Sequence, residues 1–235
     1  MLKHRHAMIA AAMSILGLLP AAAGAAETRP VVVELFTSQG CSSCPPADAL
    51  LGELAQRPEV IALGFHIDYW DNLGWKDPLS SPAATARQHD YARQFGRHQV
   101  YTPQLVVDGS EEAVGSDRSA VLSAVKQAKP EAIAPVAFAA DRVSIGAGTG
   151  SGPREGKVLL LRFAQKRTTH VAAGENASRT LSDINGVEAL TPLGAWNGTP
   201  VSFPVEPPAH DEGIAVLVQA PDGKILGAGK TLGGG

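Results

Sequence analysis

The chain contains two cysteines, Cys41 and Cys44, which are separated by two serines and lie where a predicted strand gives way to a predicted helix. Two intervening residues let both sulfurs meet within one turn, so that a small disulfide ring can open and close. A helix N-terminus supplies free N–H groups and a partial positive charge, and both stabilise the thiolate that attacks disulfides. The pattern predicts thiol–disulfide exchange, with Cys41 as the exposed attacking residue and Cys44 as the resolving residue.

Other interpretations of the cysteine pair stay open. A zinc site needs two further ligands, and because His66 would supply only one, the sequence suits copper better than zinc. A structural disulfide fits an oxidising compartment, although so small a ring constrains the unfolded chain little. Chance proximity of the two cysteines is the remaining interpretation. The alternative function is therefore a non-catalytic extracytoplasmic binding module, in which the pair is structural or binds copper.

The first 25 residues have the pattern of a secretory signal peptide. Lys3 and Arg5 form a positively charged start, an apolar run follows over residues 7–19, and residues 23–25 read AGA, as at a cleavage site. An uncleaved membrane anchor is the alternative. The pattern predicts a mature chain that starts near Ala26, in the periplasm or secreted, with no membrane contact after cleavage. Such compartments are oxidising.

Length and composition limit the classes of function. The 235 residues are enough for two domains, and 44% hydrophobic with 18% charged residues favours a folded core. The net charge is −3 and becomes −5 when the two charged residues of the leader are removed, so no basic surface for nucleic acid is expected. Aromatic residues make up only 5%, which argues against stacking platforms for bases or sugars.

Residues 31–129 are predicted to fold in the order β-α-β-α-β-β-α. Runs of β-branched residues and periodic apolar positions mark the elements. The predicted strands are residues 31–36, 60–66, 104–108 and 111–114, and the predicted helices begin near Pro45, Ser81 and Ser116. A strand–helix–strand start implies a parallel pair, to which the final hairpin adds antiparallel strands.

The sequence after Pro130 changes to short segments of β-forming residues separated by turn residues. They lie at residues 136–140, 143–145, 158–163, 168–171, 187–190, 200–203, 214–219 and 224–226. No helix is predicted there, and the pattern favours an antiparallel, all-β, sandwich-like domain. The predicted division is a leader at residues 1–25, an α/β domain at 26–130 and a β-domain at 131–235.

The chain resembles known proteins through two runs of sequence. Residues 34–48 read ELFTSQGCSSCPPAD and residues 66–78 read HIDYWDNLGWKDP. With the order of elements and the positions of the Cys-x-x-Cys and of Thr102-Pro103, they resemble the thioredoxin superfamily. More closely, they resemble a secreted bacterial family of unknown function with a thioredoxin-like fold. The resemblance continues through residues 174–176 to the C-terminus, and it implies a fold and a compartment but no substrate.

The resemblance implies roles for three more residues. Thioredoxin-like folds carry a cis-proline facing the Cys-x-x-Cys, which predicts a cis bond before Pro103 and a Thr102 backbone that is free to pair with a client chain. An ordinary trans proline is the alternative. Thioredoxins also bury an Asp about six residues before the first cysteine. Here Glu34 is seven residues before Cys41, either as a base for the proton of Cys44 or as a carboxylate that reaches solvent or an edge partner.

The loop over residues 66–78 is rich in aromatic and charged side chains, and it leaves the second predicted strand near the cysteines. His66, Trp70 and Trp75 are candidate substrate-binding residues of this rim. Alternatively, the tryptophans anchor a long loop or join the two domains, and His66 belongs to the core. Expected partners are protein thiols or disulfides, with an electron donor or acceptor that the sequence does not identify. Neither a metal nor a cofactor beyond the Cys41–Cys44 disulfide is expected.

Overall fold

The computed structural model describes residues 28–234, so the predicted leader at residues 1–25 lies outside the described residues. In the first half the elements are β1 (Val31–Thr37), α1 (Pro45–Ala55), β2 (Val60–His66), α2 (Pro82–Gln94), β3 (Gln104–Val107), β4 (Glu111–Val114) and α3 (Arg118–Gln127). The predicted order of elements is confirmed over this half. One detail differs, because Asp117 rather than Ser116 caps α3 by accepting a hydrogen bond from the Ala120 N–H at 3.0 Å.

The first four strands lie side by side in the order β2-β1-β3-β4. β1 is parallel to β2 and antiparallel to β3, and β4 is antiparallel to β3. In β1, Val31, Val33 and Leu35 pack against α1, while Val32 and Phe36 pack on the opposite face, toward α2. Successive side chains of a strand point to opposite faces, so each residue of β1 belongs to one of two cores. This alternation decides which side chains reach the cysteines.

The second half contains only strands among the residues that the structure describes. They are β5 (Val136–Ala139), β6 (Arg142–Ile145), β7 (Gly156–His170), β8 (Thr180–Trp196), β9 (Val201–Pro204), β10 (Glu212–Gln219) and β11 (Ile225–Leu232). Four of them extend the sheet of the first half, giving eight strands in the order β11-β10-β7-β8-β2-β1-β3-β4. The other three form a second sheet in the order β5-β6-β9. The chain is therefore a mixed α/β structure with one large, mostly antiparallel sheet and one small sheet.

The two halves share a core, which corrects the expectation of a self-contained β-sandwich after residue 130. Leu159, Leu161 and Phe163 of β7 pack with Phe36 of β1, in the core that also contains α2 residues. The other face of β7 and β10 packs on the small sheet, which gives a sandwich-like arrangement there. The predicted strands were too short, because β7 and β8 run for 15 and 17 residues and reach the first half. The domain division itself stays a prediction.

The contact between β8 and β2 depends on small residues. The two strands pair in parallel at Gly64 and Gly186. A Cβ atom at Gly64 would lie 3.4 Å from the Leu51 side chain and 3.5 Å from the Ile184 carbonyl oxygen, so there is room for little more than a Cβ at this position. Asn185 adds a hydrogen bond from its side-chain amide to the Ala62 carbonyl at 2.9 Å. No helix within residues 28–234 is both long and apolar enough to cross a bilayer.

Candidate functional site

Cys41 and Cys44 form a disulfide at the junction of β1 and α1, with their Cα atoms 5.4 Å apart. Cys44 directly precedes α1 and already has helical backbone angles, φ −78° and ψ −37°. Pro45 and Pro46 form the first turn, where a missing N–H costs nothing. Both cysteines are 0% exposed, so the expectation that Cys41 is the exposed member is wrong for this disulfide state.

The loop over residues 171–179, which joins β7 to β8 and is named here the strap, closes over the cysteine loop. The side-chain amide of Asn176 donates to the Gln39 and Cys41 carbonyls, both at 2.9 Å. Glu175 accepts a hydrogen bond from the Ser42 N–H at 3.0 Å, and hydrogen bonding from the Ser42 side chain and then from its backbone lowers the pKa of this exposed carboxyl. Asn176 is completely buried and is oriented by Arg179, which donates to its side-chain oxygen at 2.8 Å. The second half of the chain therefore encloses the disulfide.

Four titratable residues, named here the polar cluster, lie beneath the start of α1. They are Asp48, His66, Asp77 and Asp183. The Nδ1 atom of His66 is 2.7 Å from Asp77, and its Nε2 atom is 3.8 Å from Asp183. The side-chain amide of Gln39 donates to Asp183 at 2.7 Å, and the Gln39 N–H donates to Asp77 at 2.8 Å. The segment leading into Cys41 is thus bonded directly to the cluster.

The environment separates the pKa values within the polar cluster. Burial raises the pKa of Asp48 to about 7, against an opposing effect from His66. Burial alone would lower the pKa of His66, but the hydrogen bond and charge of Asp77 raise it to about 9. Burial raises the pKa of Asp77 too, yet its bonds to His66 and to backbone N–H groups outweigh burial and lower it. At neutral pH, the cluster therefore holds a protonated His66 paired with an ionised Asp77. Beside them lies the Asp48 carboxyl, whose pKa is close to the pH.

Asp48 is the member of the polar cluster that lies on α1, the helix that begins directly after Cys44. It follows Cys44 by four residues, and because Cys44 is itself helical, the two side chains share a face with Cβ atoms about 5–6 Å apart. The Thr37 hydroxyl donates to its carboxylate at 2.7 Å and fixes its orientation. A carboxyl with a pKa of about 7, one turn after Cys44, is a candidate proton acceptor for the Cys44 sulfur. Asp48 is not among the residues predicted from the sequence, although its four-residue spacing from Cys44 is visible there.

Glu34 does not occupy the predicted position of a base for Cys44. Its carboxylate accepts hydrogen bonds from Tyr91 at 2.6 Å and from Arg87 Nη2 at 2.9 Å, and it also pairs with Arg87 Nε. Both partners lie on α2. Val33 and Leu35 face α1, and because successive side chains of a strand point to opposite faces, Glu34 faces α2. Nor does it reach solvent, since it is 0% exposed. Both expectations for Glu34 are therefore corrected to a buried ion pair.

The three candidate residues of the rim have separate positions. His66 is 2% exposed and bonded within the polar cluster, so its proposed contact with substrate is corrected to a core position. Trp70 donates from its indole N–H to the Thr102 hydroxyl at 2.9 Å, and Trp75 donates to Gln39 at 3.2 Å. Both tryptophans are half-buried and anchor the loop over residues 66–78. Recognition of a substrate by their exposed parts stays a prediction.

Pro103 has the predicted cis bond to Thr102. The proline is buried and directly precedes β3, whose first residue, Gln104, pairs with Phe36 near the end of β1. This register puts Thr102 and Pro103 at the same end of the sheet as the loop that leads to Cys41. The Pro103 carbonyl accepts a hydrogen bond from the Gly115 N–H at 2.9 Å. Contact between Pro103 and the two sulfurs stays a prediction.

Several residues of the site could not be found from the local sequence. Glu175, Asn176 and Asp183 reach it from distant parts of the chain, and only the resemblance through residues 174–176 pointed to the strap. Gln39 lies two residues before Cys41, but its bonds to Asp77 and Asp183 depend on the fold. Within residues 28–234, no group of three or more His, Cys, Asp and Glu side chains is arranged to hold a metal ion. His66 has both ring nitrogens directed at carboxylates, so the ligand considered for copper is already engaged.

Comparisons with known proteins show strong similarity to one solved structure. Protein AGR_C_4864 from Agrobacterium tumefaciens is 35% identical, with a TM-score of 0.73 over 89% of this chain and 96% of that chain. HBP35 of Porphyromonas gingivalis shares the fold at 14% identity, with a TM-score of 0.56 over 88% of this chain and 76% of that chain. No curated protein matches this chain. The model of a family described as "Protein of unknown function (DUF1223)" matches residues 32–219, and the chain belongs to that family.

Proposed function

We propose that the protein is a thiol–disulfide oxidoreductase with a thioredoxin-like arrangement, which uses Cys41 and Cys44 on protein thiols or disulfides. The observation that carries the proposal is the Cys41–Cys44 disulfide at the start of α1, with Asp48 one turn further along the helix. The strand order β2-β1-β3-β4 and the cis bond before Pro103, at the same end of the sheet, support the thioredoxin-like arrangement.

The proposed reaction begins with the reduced protein. The Cys41 thiolate attacks one sulfur of a client disulfide, a new S–S bond joins Cys41 to the client, and the other client sulfur leaves as a thiolate. Cys44 then attacks Cys41, the mixed disulfide breaks, and the client leaves with both of its sulfurs reduced. Asp48 takes the proton that Cys44 loses when it attacks. The client gains two electrons and the cysteine pair loses two, and the reverse sequence oxidises a client dithiol.

The proposed compartment is the periplasm or the exterior, where a disulfide persists. The support comes from the leader pattern of residues 1–25 and from the cysteine pair. Protein thiols or disulfides are the proposed partners, together with an electron donor or acceptor of the same compartment.

A redox titration tests the proposed function. In a graded glutathione buffer, we expect a reversible two-electron transition of the cysteine pair at or above about −300 mV, the range in which exchange with cellular thiols is possible. Alkylation of free thiols followed by mass spectrometry measures the reduced fraction at each potential. The Cys41→Ala/Cys44→Ala variant is the control and should show no transition. A pair that stays oxidised far below about −300 mV would contradict the proposal.

One observation favours a second candidate function, a non-catalytic binding module with a structural disulfide. Both cysteines are 0% exposed beneath the strap, as expected for a bridge that never meets a client. The same titration distinguishes the candidates, because a structural bridge resists reduction by glutathione.

A further inference from the structure

The backbone donors at the start of α1 are few. Pro45 and Pro46 have no N–H groups, and the N–H of Cys44 donates to the Cys41 carbonyl at 3.2 Å. The Ser42 N–H donates to the Glu175 carboxylate at 3.0 Å. The Glu175 carboxylate of the strap therefore already accepts the hydrogen bond of the Ser42 N–H, next to Cys41. A free backbone N–H at this place would otherwise stabilise a Cys41 thiolate.

We propose that Glu175 and Asn176 are positioning residues of the disulfide site, which close the strap over the oxidised pair and oppose formation of the Cys41 thiolate. The proposal rests on the proposed function, because it requires a disulfide that can be reduced. Neither residue contacts a client in this scheme. They act by holding the segment from Gln39 to Ser42.

The two residues contribute differently. Asn176 is uncharged, and its two hydrogen bonds to the Gln39 and Cys41 carbonyls hold the cysteine loop around the disulfide without depending on the charge of Cys41. Glu175 is exposed and charged, so its effect depends on the charge of its neighbour. Beside the neutral disulfide it gains a hydrogen bond from Ser42. Beside a Cys41 thiolate it becomes a like charge that competes for the same donors.

Reduction changes the charge at this place. A dithiol reductant passes two electrons to the pair and becomes a disulfide, and the Cys41–Cys44 bond breaks. One of the two protons of the reductant stays on Cys44, the other passes to solvent, and Cys41 becomes a thiolate. The strap then lies beside a negatively charged Cys41 thiolate, whereas in the oxidised protein it lies beside a neutral disulfide. The proposal therefore predicts a strap that is closed over the disulfide and loosened by reduction.

Other titratable groups lie at this end of α1. They are the members of the polar cluster, with Asp48 on α1, His66 on β2, Asp77 in the loop after β2 and Asp183 on β8. All four stay unchanged in the variants chosen below. A change in the acidity of Cys41 between those variants is then attributable to the strap.

The first test is Glu175→Gln, which keeps an oxygen acceptor for Ser42 and removes the charge. We expect the pKa of the Cys41 thiol to fall by about half a unit, with a smaller change at high salt. The rate of alkylation by iodoacetamide against pH, with peptide mapping, measures it. Glu155→Gln is the matched control, because Glu155 is an exposed carboxylate at the opposite end of β7 and should leave the pKa unchanged.

The second test measures access. In Asn176→Ala, loss of two buried hydrogen bonds is expected to speed reduction by a long peptide dithiol about tenfold, and by dithiothreitol much less. In the unaltered protein, strap amides should exchange about two- to fivefold faster in the reduced state than in the oxidised state, and Glu175→Gln should diminish this difference.

The outcomes separate the two proposals. A pair that stays oxidised at all accessible potentials would overturn the proposed function and this inference together. A reversible couple combined with an unchanged Cys41 pKa in Glu175→Gln would overturn this inference alone. Equal acceleration by both reductants in Asn176→Ala would likewise contradict the closed strap. Because Glu175 is exposed, its substitution should not prevent folding, and the test does not depend on the Asn176 variant.

Discussion

The Cys44→Ala variant, reduced and then freed of reductant, is expected to become covalently attached to its partner through Cys41. Without Cys44, the mixed disulfide has no neighbouring thiol to resolve it. Turnover of a peptide disulfide should fall about a thousandfold or more, because intramolecular attack has a large effective concentration. Mass spectrometry of the complex formed in a periplasmic extract measures the result and identifies the site of attachment.

Cys41→Ala is the matched control for this trapping experiment. Its remaining sulfur belongs to Cys44, which directly precedes α1 and which, in the proposed reaction, attacks only the Cys41 sulfur. It should therefore capture far less partner than Cys44→Ala. Equal capture by the two variants would contradict the assignment of Cys41 as the attacking residue, and capture by neither would favour the non-catalytic binding module.

The sequence predicted the first half of the fold well because its signals are local. The β-branched runs of β1 and β2, the apolar face of α1 and the turn at Asp108 and Gly109 each lie within a few residues of the element that they define. The parallel start and the terminal hairpin then leave few topologies. The resemblance to thioredoxin-like folds, together with the place of Thr102-Pro103 in the order of elements, predicted the cis bond before Pro103, which is present.

The arrangement of the second half depends on contacts that no local pattern encodes. The sequence predicts strands in this half, but it predicts shorter segments where the structure has β7 and β8. Their attachment to the first half rests on one parallel pair, Gly64 with Gly186, on side-chain hydrogen bonds of Asp183 and Asn185, and on a core that mixes residues from both halves. Small residues at these two positions are compatible with many structures, so the sequence did not indicate a sheet that continues past residue 130.

The error at Glu34 has a physical cause in β1. All seven residues of the strand are buried, so the sequence shows no alternation from which the two faces could be assigned. The parity of the strand puts Thr37 and Leu35 on the α1 face and Glu34 on the α2 face. A carboxyl beneath α1 is present, but it comes from the helix itself, as Asp48. The strap was missed for another reason, because its contacts with Ser42 and Cys41 join residues that are 133 and 135 positions apart in the chain.

The stability of the folded protein is expected to depend on pH through the His66–Asp77 pair. The pKa of His66 in the folded protein, about 9, lies above its ordinary value of 6.5. Its contribution to stability is therefore complete below about pH 6.5 and is lost as the pH rises through about 9. Asp77, whose pKa is lowered, contributes stability that is lost in acid instead. Between these limits the His66–Asp77 pair keeps the loop after β2 and the segment containing Gln39 fixed.

Asp48→Asn is expected to slow disulfide exchange about a hundredfold at pH 7 to 8, because Cys44 loses its proton acceptor. The asparagine keeps an oxygen that can accept the Thr37 hydrogen bond, so the structure should be preserved. In the unaltered protein, the rate of resolution of the mixed disulfide should rise with pH through about 7, the pKa of Asp48. The variant should lack this step, and stopped-flow measurements of the second step from pH 5 to 9 would show it.

The same substitution has an opposite effect on stability, which separates a proton acceptor from a residue that only supports the fold. The pKa of Asp48 is raised from 3.8 to about 7 in the folded protein, so ionisation destabilises the fold as the pH rises between these values. Asp48→Asn should therefore be more stable than the unaltered protein above about pH 7, by about 1 to 2 kcal/mol for a carboxylate that solvent partly reaches. Denaturant unfolding at pH 5 and pH 8 measures this, and Asp90→Asn, at an exposed site on α2, is the matched control. A variant that is less stable at pH 8 and keeps the kinetic step near pH 7 would show that Asp48 is not the proton acceptor.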